Sequence, residues 1–107
     1  MRTLALALAV LASLAAPAEA GSPPAGVYCS VSGELPPIVV GRAPGRIGID
    51  LLDCRDAVIA GGRLRASRCH ANGGAEVDYD TSFRVLADGV IVHEMELYRI
   101  TPRVPCP

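Results

Sequence analysis

Three groups of side chains in this sequence have types and spacings suited to chemistry, and each points to a different protein. His93-Glu94-Met95 sets an imidazole and a thioether two positions apart. On a strand, residues two apart point the same way. Imidazole with thioether suits copper, and the soft sulfur favours Cu(I). Two ligands are too few to fix an ion, and the other methionine is Met1. Against the metal reading stands a plainer one, a histidine at a core edge beside a packing methionine. Cys69-His70 is the second group, a thiolate–imidazole pair of the kind used in nucleophilic catalysis. Neighbours on a strand point to opposite faces, and a cysteine committed to a disulfide is no nucleophile. The third group is acidic: Asp78, Asp80, Glu94 and Glu96. Paired carboxylates serve glycoside hydrolysis and clustered oxygens hold Ca²⁺. Arg65 and Arg84 fall on the same expected face, which reads more simply as a solvated, charge-paired surface. Arg65, Asp80, Glu94 and Glu96 are therefore the candidate binding surface, and His93 with Met95 the candidate metal ligands.

No nucleophile elbow, zinc spacing or glycine-rich phosphate loop is present. No cofactor is expected. All ten basic residues are arginine, and the formal net charge is −1, which gives no reason to expect nucleic acid or an anionic membrane as partner. Arg55, Arg63, Arg65 and Arg68 make one segment locally basic. The sequence has no Trp and few aromatics, so stacking platforms for sugars or single strands are not expected.

The N-terminus sets the compartment. Arg2 precedes an apolar run, Leu4 to Ala16, broken only by Ser13; Pro17 stops it, and Ala18-Glu19-Ala20 has the A-x-A pattern of a cleavage site. Residues 1–20 read as a secretory signal peptide, with a mature start at Gly21. The run falls short of the roughly 20 apolar residues of a spanning helix, and no second run follows. Gly21, not Cys, occupies the mature first position, and no paired arginines are present, so general export to the bacterial periplasm or exterior is expected. What remains, 21–107, is one small domain. A chain so short often needs covalent help, and four cysteines in an oxidising compartment read as two disulfides.

The elements that must position these groups read as β throughout: Gly26–Ser32, Ile38–Gly41, Arg46–Leu52, Ala57–Ala60, Arg63–Cys69, Ala75–Ala87 and Val90–Thr101. Strands this short, separated by turn signals, predict an all-β antiparallel meander of about seven strands, barrel or sandwich. Gly61-Gly62 predicts a two-residue hairpin loop with Ile59 opposite Leu64 and Ala57 opposite Ala66. The same register carries Cys54 opposite Cys69, within disulfide reach. Cys29–Cys106 follows by exclusion. In the chain-entropy model the shorter loop contributes about 3 kcal/mol and the longer about 4 to 5. Asn72-Gly73, as a two-residue loop, places Leu64 opposite Thr81, Arg65 opposite Asp80 and Ala66 opposite Tyr79. A three-residue loop ending with a left-handed Gly89 sets Val85 opposite Ile91, Phe83 opposite His93, Thr81 opposite Met95 and Tyr79 opposite Leu97. The core face then holds Ile59, Leu64, Ala66, Val77, Tyr79, Phe83, Val85, Ile91, Met95 and Leu97, joined by Ile47, Ile49 and Leu51, with His93 in its middle.

In size, leader, cysteines and strand content the chain is similar to small exported β-barrel inhibitors of hydrolases, such as the bacterial lysozyme inhibitors. No inhibitory loop of those proteins matches residue by residue, so no family is assigned. The expectation is an exported, monomeric binding or inhibitor-like module without catalysis, its partner a protein or small ligand. The alternative is a copper-handling protein using His93 and Met95.

Overall fold

The computed structural model describes residues 21–103 and 105–107; the expected signal peptide lies outside them. Ten strands follow in order: β1 (Gly26–Ser30), β2 (Ile38–Val40), β3 (Ile47–Ile49), β4 (Leu52–Arg55), β5 (Val58–Ala60), β6 (Arg63–His70), β7 (Glu76–Ser82), β8 (Arg84–Val85), β9 (Ile91–His93) and β10 (Glu96–Thr101). All pairings are antiparallel and, except where β4 jumps β5 to reach β6, run between sequence neighbours until β10 returns to β1. β4 and β5 lie end to end along one edge of β6, while β7 takes the other edge. β7 and β8 are one course interrupted at Phe83. The meander is therefore a nearly closed barrel of eight courses, a size whose interior side chains can fill. Tyr28, Ile38, Ile47, Ile49, Leu64, Phe83, Val85, Ile91 and Tyr98 pack into that interior with both cysteines of the Cys54–Cys69 bridge. Both expected disulfides are formed.

Two glycine hairpins have the expected register. Ile59 faces Leu64 across Gly61-Gly62, and Val85 faces Ile91. The second is closed by Leu86 N–H to the Val90 carbonyl at 2.9 Å, with Gly89 left-handed at φ 88°. The Asn72-Gly73 hairpin differs in its loop. Ala71 N–H bonds to the Ala75 carbonyl, so the loop has three residues, 72–74. A bulge in β6 between Ala66 and Cys69 absorbs the extra residue, and Leu64–Thr81, Arg65–Asp80 and Ala66–Tyr79 pair as expected.

That bulge also resets the strand's alternation. Leu64 and Ala66 face inward; without it Cys69 would face out. On the opposing course Asp56 adopts a left-handed φ of 57°, and the Ala57 N–H turns away to the Gly45 carbonyl at 3.0 Å. Gly45 is itself left-handed, and a Cβ there would lie 3.0 to 3.1 Å from the backbone of Asp56 and Ala57. The two irregularities match, so Cys54 pairs with Cys69 in the interior while Ile59 and Leu64 keep the same side.

Two expected strands are in fact hairpins. Residues 46–52 break at Asp50-Leu51 (φ 51° and 65°), and residues 90–101 break at Glu94-Met95 (φ 48° and 70°). Consecutive left-handed residues make the tight turn that suits the twist of a hairpin. Ile49 then pairs with Leu52, and His93 with Glu96. The Thr81–Met95 and Tyr79–Leu97 pairings are corrected accordingly: β10 pairs with β9 and β1. Beyond each turn the inward positions change parity, so Tyr98 is buried and Leu97 is exposed. Leu51 and Met95 are also corrected from core to surface, at 79% and 96% exposure. Val77, next to the bulge, is exposed as well.

Left-handed backbone costs a residue bearing a Cβ about 1–2 kcal/mol, and the extra unfolded freedom of glycine offsets about 0.5–1 kcal/mol. Leu51→Gly and Met95→Gly should each stabilise the protein by about 0.5–1 kcal/mol, read as a rise in the urea midpoint at unchanged slope.

Candidate functional site

In an up-and-down barrel, alternate connections lie at one end. Here that end carries the β1–β2 connection (31–37), the Asp50-Leu51 and Glu94-Met95 turns and the β6–β7 connection (71–75). Direct bonds tie the first three. Val31 N–H donates to the Leu97 carbonyl at 2.8 Å, Ser32 N–H to Glu96 Oε2 at 2.9 Å, and Asp50 Oδ2 lies 3.0 Å from His93 Nε2. Ser30 Oγ accepts from the amides of Gly33 and Leu35, which fixes the course of the longer loop. The end is thus an ordered rim.

At its base sits His93, the last residue of β9 and 1% exposed. The rings of Phe83 and Tyr98 lie 6.5 and 6.1 Å away, both tilted. Nδ1 is 3.0 Å from the Ser82 carbonyl oxygen and 3.5 Å from Thr81 Oγ1. A carbonyl can only accept, so Nδ1 carries a proton. Nε2 faces Asp50 at 3.0 Å and Glu94 Oε1 at 3.9 Å. The Tyr79 hydroxyl donates to Asp50 Oδ2, and Glu94 is anchored by its own N–H to Ser82 Oγ at 3.1 Å. Burial pushes the Tyr79 hydroxyl well above its ordinary value, and its bond to Asp50 adds to this. Tyr98 is raised too, again chiefly by burial and then by the Asp50 charge.

The sequence-selected residues distribute as follows. His93 and Met95 do not share a strand: one is buried and the other stands at a turn tip, so a strand spacing no longer aims both side chains the same way. Cys69 is bonded to Cys54, and His70 Nε2 lies 3.6 Å from Glu76 across the ladder. Arg65 faces Asp80 as expected, at 3.5 Å, but Arg63 is the closer partner, with Nη2 and Nε at 2.9 and 3.0 Å. Exposed pairs of this kind contribute about 0–1 kcal/mol. Glu94 and Glu96 belong instead to the rim, facing His93 and Ser32, so the four acidic residues do not line one ladder. Asp50 received no role from the sequence, and Leu51 and Tyr79 only a place in the core, since Asp50-Leu51 carries no glycine or asparagine to mark a turn.

Comparison of the chain with protein-family models, with curated proteins and with solved structures yields no match.

The Glu96 carboxyl is held below its ordinary value by the Ser32 backbone N–H and then by the Ser32 side chain. A folded-state value below the unfolded one gives stability that is present above the unfolded pKa and lost as pH falls through the folded value. Glu96→Gln should therefore lower the melting temperature at neutral pH. The gap from the native protein should close on acidification below the usual carboxylate range, as followed by thermal scans across pH.

Proposed function

We propose that this chain is an exported binding module that acts without catalysis and meets a protein partner through the rim. One observation carries this reading. Leu51 and Met95 hold large apolar side chains out in solvent on left-handed turns, where folding and solubility both favour Gly, Asn or Asp. Backbone strain of this kind gathers at functional sites. Exposed Val31 and Leu35 on the neighbouring connection extend the same apolar rim. The hydrogen bonds within the rim fix its loops before any partner arrives, which reduces the ordering cost of association. The barrel's own side chains take up its interior, which favours a partner met at the surface over a small ligand held inside.

Export is part of the same proposal. Two formed disulfides fit an oxidising compartment. Among the described residues no helix is long and apolar enough to cross a membrane.

The test is quantitative capture from an exported-protein extract with three immobilised forms: native, the double variant Leu51→Asp/Met95→Asp, and Val58→Thr, which alters an exposed apolar residue of β5 away from the rim. Aspartate is tolerated in left-handed backbone, so the rim variant folds. Native and Val58→Thr proteins should retain the same partner, and the rim variant at least about tenfold less of it. Equal retention by the rim variant, or no partner retained by the native form, overturns the reading.

A further inference from the structure

Three side chains at the base of the rim, two carboxylates and one imidazole, bring their polar atoms together at one point. Nδ1 of His93 spends its proton on the Ser82 carbonyl. Nε2 faces two carboxylates, Asp50 at 3.0 Å and Glu94 at 3.9 Å. One proton on Nε2 can be donated well to only one of them, and Glu94, at 3.9 Å and mostly exposed, is the one left to solvent. A neutral imidazole with two carboxylates and a divalent cation comes to zero.

We propose that Asp50, His93 and Glu94 ligate a first-row divalent metal ion, with Zn²⁺ the ion their donor types suit. The bonds run from His93 Nε2 and one oxygen of each carboxylate, and the remaining positions open to the rim. This goes beyond the protein-binding reading and does not depend on it.

Three observations support the site independently of charge. The candidate ligand atoms all lie within 4.8 Å of one another; ligands sharing an ion at zinc bond lengths stand about 3 to 3.5 Å apart. Asp50 already satisfies this with respect to His93, and the Glu94 carboxylate, mostly exposed, stands 3.9 Å from Nε2. The groups behind the ligands are also those a metal site uses. A backbone carbonyl holds the far nitrogen of the histidine and so turns Nε2 toward the carboxylates, and the Tyr79 hydroxyl orients the Asp50 carboxylate. Finally, Asp50 and Glu94 are the first residues of the two left-handed turns, so an ion between them ties the tips of two hairpins distant in sequence. Nitrogen and carboxylate oxygen make this a site for borderline or hard ions, unlike the Cu(I) expected of a thioether; the exposed Met95 sulfur takes no part.

The test is calorimetric titration of the disulfide-bonded protein with ZnCl₂ at neutral pH after chelator treatment. We expect one Zn²⁺ per chain. Asp50→Asn, which keeps a residue at ease in left-handed backbone, and Glu94→Gln, altered at an exposed tip, should each weaken binding at least about tenfold. His70→Gln should leave binding unchanged. In the zinc-loaded protein the nitrogen NMR spectrum of His93 should show a protonated Nδ1 and a metal-bound Nε2. Absence of stoichiometric binding, binding that survives both carboxylate substitutions, or binding lost with His70→Gln would overturn the proposal; the last would place the ion at His70 and Glu76. Metal uptake is read without any partner, so its failure would leave the rim proposal standing.

Discussion

Side chains alternate across a strand, and in a small closed barrel every course must deliver its apolar set to one shared interior. The rest of this structure depends on meeting that constraint eight times within about eighty residues. The chain meets it by resetting the alternation at chosen points. The Glu94-Met95 turn exchanges which positions of β10 face inward, and so buries Tyr98. The β6 bulge and the left-handed Asp56 reset two paired courses together, which lets one register place both Ile59–Leu64 and Cys54–Cys69 inside. A bridge at the barrel's centre and another from β1 to the C-terminal tail then hold a core that would be small for an unassisted chain.

The legible parts of the fold were those with local chemistry. Gly61-Gly62 names its loop type because glycine reaches left-handed backbone at little cost, and from it the Cys54–Cys69 pairing follows by counting; at Asp88-Gly89 the gathering of apolar residues on one face selects the three-residue loop. The illegible parts imitate something else. Ile47, Ile49 and Leu51 keep a perfect period of two across a turn, as do Ile91, His93, Met95 and Leu97. Periodicity alone therefore reads each as one strand. Neither turn contains glycine or asparagine, so the reversal shows only once the neighbouring courses are in place. The bulge is hidden for a related reason: it answers a need to turn Cys69 inward that no local segment expresses.

The same two hidden turns make the site only half legible in the sequence. His93 stood out, since a histidine in the middle of an apolar face needs an explanation. Its partners did not. By sequence Glu94 reads as part of a solvated acidic face, and Asp50 falls within a strand more than forty residues away. The turns convert both into residues that face the same ring nitrogen. The apolar side chains that follow them, Leu51 and Met95, are thrown outward by the same geometry.

Each turn therefore performs two tasks with adjacent residues: its first position aims a carboxylate at His93, and its second presents an apolar side chain to solvent. The tasks are mechanically linked, because the backbone that orients Asp50 also orients Leu51, and that of Glu94 also orients Met95. Anything that fixes the carboxylates, whether the protons of His93 and Tyr79 or a cation in their place, fixes the rim above them. The left-handed strain has a physical role on this view. A glycine turn would fold more readily but would hold neither carboxylate nor anchor, whereas Asp-Leu and Glu-Met trade some stability for a rim whose shape is set from beneath by a buried histidine.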